Sequence, residues 1–370
     1  MLTEIYIDNY KCLVNFTITL DRMALFLGAN GAGKTTIIEL LAKLQRFLAG
    51  DERVGAIFPT DTLTKWQTTP MQRVELKVSS DDGIYYYQLA VKHDPANRRC
   101  RVETERLTLN GKPLFEFEQG TARLYHDDFS PGPEYPFDWS QSGLATLQKR
   151  PDNTLLTRFK GWMSGMIVVR PNPPSMGSES LREEYFLSLS ADNFASWYRY
   201  ISQEHQAMVF ELTNGLRDTI DGFHSFKLAQ AGEEARSLQV GFIQDEKDRN
   251  PVFYRFSELS DGQRLLILLY ALLYFIRDKK FCLCMDEPEN YLALPEVQPW
   301  LVSLYDACQE QGGQVLLISH HPEVIDYLAA GSGYWLEREA NAPVRIKRIE
   351  ETGEAGLAIS ELVARGWING

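Results

Sequence analysis

Positions 2–20 alternate apolar and polar residues, as paired strands do, and lead into the continuous apolar run Met23-Ala24-Leu25-Phe26-Leu27. A short unbroken run of this kind predicts a strand buried on both faces. The period then changes, and Ile37, Ile38, Leu41, Leu44 and Leu48 fall on one face of a helix. Period two returns in Val74-Leu76-Val78 and, past an Asp81-Asp82-Gly83 turn, in Tyr85-Tyr87-Leu89-Val91. A third run around Leu107-Leu109 closes on Asn110-Gly111, a favoured hairpin turn. These spacings predict an antiparallel flank within residues 1–115.

From about 120 to 165 proline, aspartate and aromatic residues accumulate, with Pro131, Pro133 and Pro136, and the expectation is loops and short helices. Residues 190–216 return to helical spacing through Phe194, Trp197, Tyr198, Ile201, Met208 and Leu212, ending near Gly215. That stripe suits core or subunit contact better than a cofactor box. Leu265 to Ile276 is apolar for 12 residues, short of the roughly 20 that span a bilayer, so it predicts a buried helix and no membrane association. Phe281-Cys282-Leu283-Cys284-Met285 and Val315-Leu316-Leu317-Ile318 predict two further buried strands. A helix from Glu323, a hairpin pair (333–339 with 344–349) and a terminal helix complete the chain.

With 370 residues the chain can bury a large core, as one large or two ordinary domains. Its net charge of −12 argues against an obligate, sequence-independent nucleic-acid coat, which needs clustered cations. The one tight arginine cluster, Arg98, Arg99 and Arg101, reads first as a solvated loop, and nucleic acid stays open as a ligand. The five cysteines have no metal-ligand spacing, and Cys282 and Cys284 alternate within a buried strand as small apolar residues. With no signal peptide in the opening residues, a reducing, cytoplasmic location is expected.

The candidate chemistry begins at Gly28-Ala29-Asn30-Gly31-Ala32-Gly33-Lys34-Thr35, which satisfies G-x-x-x-x-G-K-[ST] between a predicted strand and a predicted helix. Glycines let the backbone of Asn30, Gly31, Ala32, Gly33, Lys34, Thr35 and Thr36 aim N–H groups at a β-phosphate. The helix N-terminus adds partial positive charge, Lys34 reaches the β/γ oxygens and Thr35 can ligate Mg²⁺. The predicted ligand is ATP or GTP. The strand ending in Asp286-Glu287 then offers a metal-water ligand (Asp286) and a group that polarises attacking water (Glu287). Leu259-Ser260-Asp261-Gly262-Gln263 precedes the apolar helix, and Ser319-His320-His321-Pro322 follows the last buried strand.

The order phosphate loop, Leu-Ser-x-Gly-Gln, strand-Asp-Glu, strand-Ser-His resembles the ATP-binding-cassette class. Asp286-Glu287-Pro288-Glu289-Asn290, the Leu-Ser-Asp-Gly wording and Ile5-Tyr6-Ile7-Asp8-Asn9-Tyr10-Lys11 resemble its non-transporter branch. That branch holds RecF, the structural-maintenance-of-chromosomes (SMC) heads, the ATPase half of OLD-family nucleases and stand-alone prokaryotic AAA-type ATPases. Val168 to Met176, followed by Asn193-Phe194-Ala195, also resembles the stand-alone group. The chain departs from the branch at Tyr291-Leu292-Ala293-Leu294-Pro295, where relatives continue Gly-Leu-His-Pro, so no role passes to a histidine there.

The resemblance implies an α/β P-loop NTPase fold: an ATP-binding-cassette-like head with a mixed sheet, an antiparallel β flank and an inserted helical lobe. It implies one bilobal head over 1–370, comprising a phosphate-loop lobe (1–115), an inserted mainly helical lobe (about 116–240) and a segment with signature, strand acids and switch histidine (241–370). Lys34 and Asp286 stand 252 positions apart, without the heptads of long coiled-coil arms. It implies an ATPase using ATP and Mg²⁺, with Thr35 and Asp286 at the metal, Glu287 as base, and His320 rather than His321 at the attacking water. Ser260, Gly262 and Gln263 would meet the nucleotide of a second subunit, though Ser260 also suits a helix N-cap. Lys11 is a candidate phosphate contact. The glutamine that completes the Mg²⁺ shell in this class has several candidates, Gln88 and Gln119 among them. The implied assembly is a head-to-tail homodimer or higher oligomer controlling a separately encoded effector, a nuclease or toxin, in a prokaryotic defence system. The alternative is a RecF-like, ATP-dependent DNA-binding protein of repair. The 50 residues after His320 are too few for an OLD-type nuclease domain.

Overall fold

The structure, a computed structural model, describes residues 1–244, 250–277, 280–340, 342–349 and 357–366; the rest of the expected 241–370 segment lies outside the described residues. Along the chain, β1 (Leu2–Asp8), β2 (Phe16–Thr19) and β3 (Met23–Gly28) precede α1 (Lys34–Ala49) and α2 (Val54–Ile57). Next come β4 (Met71–Ser80), β5 (Gly83–Asp94), β6 (Arg99–Leu109), β7 (Lys112–Glu118), β8 (Thr121–Tyr125), β9 (Pro131–Pro136) and α3 (Thr154–Ser164). The middle holds β10 (Ile167–Val169), β11 (Glu179–Ser180), α4 (Phe194–Glu204), α5 (Gln206–Thr219), β12 (Phe223–Gln230), β13 (Arg236–Phe242) and β14 (Val252–Arg255). Then follow α6 (Asp261–Ile276), β15 (Cys282–Asp286), α7 (Leu294–Gln311), β16 (Gln314–Ile318), α8 (Pro322–Ser332), β17 (Gly333–Glu337), β18 (Arg345–Arg348) and α9 (Ile359–Ala364). The chain divides into two compact units, residues 1–166 with 331–350, and 167–330 with 351–370.

In the first unit an eight-stranded sheet runs β2-β1-β4-β5-β6-β7-β8-β9, every neighbour antiparallel. The predicted inward positions Val74, Leu76, Val78, Tyr85, Tyr87, Leu89 and Val91 are all buried. Phe159 of α3 packs on Tyr85 and Tyr87, with ring centroids 5.6 and 5.8 Å away. Residues 121–125 and 131–136, expected as loops, are strands. The prolines of β9 sit at the sheet edge, where a missing N–H on the outer side forfeits no ladder bond. The phosphate-loop strand β3 pairs parallel with β17, which pairs antiparallel with β18, so this group of strands is mixed. Gly28 ends β3 at φ 139°, and a Cβ there would lie 2.1 Å from the Leu336 carbonyl oxygen. Only glycine fits where β17 comes this close. Helix α1 buries the predicted stripe of Ile37, Ile38, Leu41, Leu44 and Leu48 and stops at Gly50 in the left-handed region.

In the second unit β10, β15 and β16 are parallel, and all five residues of β15 are buried, as the apolar runs predict. The 12-residue apolar run fills α6, whose buried face includes Leu265, Leu268, Leu269 and Leu272. A second, antiparallel group joins β13 to β12, β11 and β14. The 190–216 stripe is two helices, because the chain leaves helical geometry at His205 (φ −130°, ψ 50°). Residues 116–240, expected to be mainly helical, thus mix α3–α5 with strands. Of those strands, β10 and β11 are only 3 and 2 residues long, and β12 has mostly half-buried positions without a clean alternation.

Candidate functional site

The phosphate loop is shaped by glycine. Gly31 and Gly33 take φ 81° and 98°, and nothing lies within 4 Å of where a Cβ on Gly31 would stand. Asn30 and Gly31 are exposed, whereas Ala32 is buried. Helix α1 begins with Gly33 at its cap, no side-chain capping bond and no acidic residue in the first turn. The positive dipole end of such a helix favours an anion. Lys34 is buried, and its ammonium donates to the carbonyls of Gly28 (2.7 Å) and Ala29 (3.1 Å), so it lies against the loop it is expected to serve. Thr35 and Thr36 are half-buried in the first turn.

Lys11 belongs to the same unit. Asn9 and Lys11 take φ 60° and 51°, and this left-handed kink is held by buried polar groups. Asn9 donates to the carbonyls of Thr69 and Met71, Gln72 donates to the Asn9 carbonyl, and the Lys11 amide donates to Thr62 O at 2.7 Å. The Lys11 ammonium pairs with Glu39 on α1 at 2.6 Å. Gln88 lies in β5, bonded to Glu75 and Tyr86, and Gln119 lies at the turn between β7 and β8.

The acids lie in the second unit. Asp286 ends β15 with its side chain buried, and Arg170, just past β10, brings its Nε to 3.6 Å from Asp286 Oδ2. Glu287 has φ 51°, a conformation costing a residue with a Cβ about 1–2 kcal/mol. Its amide donates to Ile318 O (2.9 Å), which extends the β15–β16 pairing past the strand end. One Glu287 oxygen accepts from Asn290 Nδ2 (2.8 Å), and the other lies 3.8 Å from His320 Nε2. Strain of this kind collects at functional positions.

Sequence reasoning used Glu289 only as part of a wording; the structure gives it a place. It is buried and accepts the Ser319 hydroxyl (2.6 Å) and the His320 amide (3.3 Å) on Oε1. Burial pushes its carboxyl above the usual carboxylate range, against the pull of those hydrogen bonds. Arg170 was likewise missed as a site residue. A single polar residue after an apolar strand carries no signal until the strand's neighbour is known.

At the signature, Ser260 caps α6. Its hydroxyl accepts the Gln263 amide (3.2 Å), and Gln263 Oε1 accepts the Ser260 amide (3.1 Å), a reciprocal capping box. Ser260 remains exposed. Gly262 is needed for close approach: a Cβ there would lie 2.8 Å from the Tyr291 carbonyl oxygen. Arg264 is buried between the Asp261 carboxylate and the Met176 carbonyl, so it pairs within its own unit. The Arg98–Arg101 cluster sits at the β5–β6 hairpin, with Arg101 on Glu103 (3.0 Å) and over the Trp139 ring.

In the first unit, an acid-free helix start behind a glycine loop suits phosphate. In the second unit, the buried Asp286 carboxylate is of the hard oxygen type that suits a divalent cation such as Mg²⁺. The phosphate loop between a buried strand and a helix is that of a P-loop domain of the AAA type. The chain belongs to the family described as "AAA domain, putative AbiEii toxin, Type IV TA system", whose model matches residues 23–326. Among solved structures it is similar to the Pyrococcus furiosus Smc head domain with an extended coiled coil, bound to the C-terminal domain of ScpA. That match has 11% identity, covers 94% of this chain and 96% of that chain, and has a TM-score of 0.58. An SmcHead bound to the C-winged helix domain of ScpA matches at 11% identity over 94% of this chain and 98% of that chain, with a TM-score of 0.57. At this identity the likeness shows the fold alone. Comparison with curated proteins gives no match. Among the described residues no helix is long and apolar enough to cross a membrane.

Proposed function

We propose that the chain, acting as one ATPase head, hydrolyses ATP and works as a switch in a head-to-tail dimer. The observation that carries this reading is Glu287, held in a strained backbone conformation with one oxygen on Asn290 and the other facing His320. In this reading the loop 28–36 binds the phosphates and Lys34 neutralises β/γ charge, with Lys11 as a further phosphate contact. Thr35 and Asp286 hold Mg²⁺, which shields phosphate charge when bound. Glu287 takes the proton of the attacking water, and His320 orients that water and the γ-phosphate. Ser260, Gly262 and Gln263 serve the nucleotide of the partner subunit, and exposed Tyr291 and Leu294 beside the acids supply apolar surface for the closed dimer.

The family description, which names a toxin system, supports control of a separately encoded effector in prokaryotic defence or a toxin-like module. SMC heads, too, are held with a separate protein, ScpA. A RecF-like DNA clamp is the second reading. Pairing of Arg101 with Glu103, and the net charge, favour the first. The test is turnover: Glu287→Gln must keep ATP affinity and lose hydrolysis.

A further inference from the structure

We infer that Glu289 is the positioning residue that couples the loop carrying Glu287 to the loop carrying His320. The inference rests on the proposed ATPase reading and adds a residue to it. Three successive positions past β16 depend on this one carboxylate. Ser319 Oγ donates to Oε1 at 2.6 Å, the His320 amide donates to the same oxygen at 3.3 Å, and the His321 amide donates to Ser319 Oγ at 3.0 Å. Glu289 and Ser319 are both buried, so these bonds are shielded from water and gain strength accordingly. At the other end Glu289 lies two residues beyond Glu287, in a turn tied by Asn290 N–H to Glu287 O (3.3 Å) and Leu292 N–H to Glu289 O (3.0 Å). The Glu287 amide bond to Ile318 O closes the loop of connections.

The chain from Glu287 to Glu289 and the hydrogen bonds from Glu289 to Ser319 and His320 therefore set the spacing at which His320 Nε2 and Glu287 Oε1 face each other, 3.8 Å apart. An attacking water needs both groups at one spacing, and a displacement of about 1 Å in such a site costs about 10²-fold. The other oxygen, Oε2, is buried without a hydrogen-bond partner among the described residues, so the carboxyl is placed for Oε1 alone.

The experiment compares Glu289→Gln, Glu289→Ala and Ser319→Ala with the wild type, measuring phosphate release and equilibrium binding of a fluorescent ATP analogue. Glutamine keeps an acceptor oxygen at the Oε1 position and should retain most turnover. Glu289→Ala should lower kcat roughly tenfold to a hundredfold, less than the 10²–10⁴ that a positioned acid–base group itself supplies. Nucleotide affinity should stay within about threefold, because no phosphate contact is altered. Ser319→Ala removes one of two donors and should give a smaller fall of the same kind. If Glu289→Ala does not fold, the rank order wild type, Glu289→Gln, Ser319→Ala in kcat carries the test. Equal kcat in all folded variants, or losses of kcat and affinity together, would overturn the inference. A wild type without ATPase activity would instead overturn the proposed function.

Discussion

Gly28 and Gly31 stand three residues apart in one loop, both at positive φ, yet the same methyl group should do different things at each. At Gly28 (φ 139°) the new Cβ falls 2.1 Å from Leu336 O, an atom of β17 backbone with no side-chain freedom. Ordinary contact requires the strands to part by more than 1 Å, at a position where Leu336 is paired with Gly28. Loss of one or two ladder hydrogen bonds costs about 1 kcal/mol each, and the glycine-type backbone adds about 1–3 kcal/mol, so Gly28→Ala should cost about 2–5 kcal/mol. At Gly31 (φ 81°) nothing lies within 4 Å, and the cost is the left-handed backbone alone, about 1–2 kcal/mol. That methyl stands where the loop would meet phosphate. Urea unfolding followed by tryptophan fluorescence should rank wild type above Gly31→Ala and Gly31→Ala well above Gly28→Ala. ATP titration should show the folded Gly31→Ala variant binding much more weakly than wild type. A Gly28→Ala variant as stable as Gly31→Ala refutes the β3–β17 register, and wild-type ATP affinity in Gly31→Ala refutes the phosphate-loop assignment.

Two further predictions concern acid stability and assembly. Burial lowers the His93 pKa from 6.5 to about 4, and its Nε2 lies 2.8 Å from Gln72 Oε1 in the buried network under Lys11. A folded-state value below the unfolded one means stability present above pH 6.5 and lost as pH falls toward 4. The thermal midpoint should decline across that window, and His93→Leu should flatten the decline; an unchanged profile would remove His93 as its cause. For assembly, Lys34→Ala and Ser260→Arg should each be inactive alone, yet mixing them should recover part of the ATPase activity. In a head-to-tail dimer one site then carries both lesions and the other neither. No recovery at any ratio, together with a monomeric Glu287→Gln at saturating ATP, contradicts the shared site.

Much of the molecule was legible because its signals are local. The switch from a continuous apolar run to period 3.6 around Gly28–Lys34 marks the β3–α1 junction, and continuous apolar runs also mark β15 and β16, whose neighbours bury both faces. Strands β8 and β9 were not legible, because prolines at a sheet edge look the same in sequence as prolines in a loop. Helices α4 and α5 share one apolar stripe, and nothing local announces the break at His205. At the candidate site the motif residues were found by spacing. Gly262 was read from its motif as a contact to a second subunit's nucleotide; that a Cβ there would lie 2.8 Å from the Tyr291 carbonyl oxygen is a further demand for glycine that spacing does not reveal. Glu289 and Arg170 escaped for a related reason. Their partners, Ser319 and Asp286, are 30 and 116 positions away and are brought close only by parallel pairing.

The central claim is that this chain hydrolyses ATP with Glu287 as the base. Its most direct measurement is phosphate release from ATP and Mg²⁺ by wild type and Glu287→Gln, with ATP binding titrated on the same preparations and Lys34→Ala as the non-binding control. Wild type should turn over steadily, Lys34→Ala should not bind, and Glu287→Gln should bind ATP without detectable turnover. Hydrolysis by Glu287→Gln at the wild-type rate would contradict that claim.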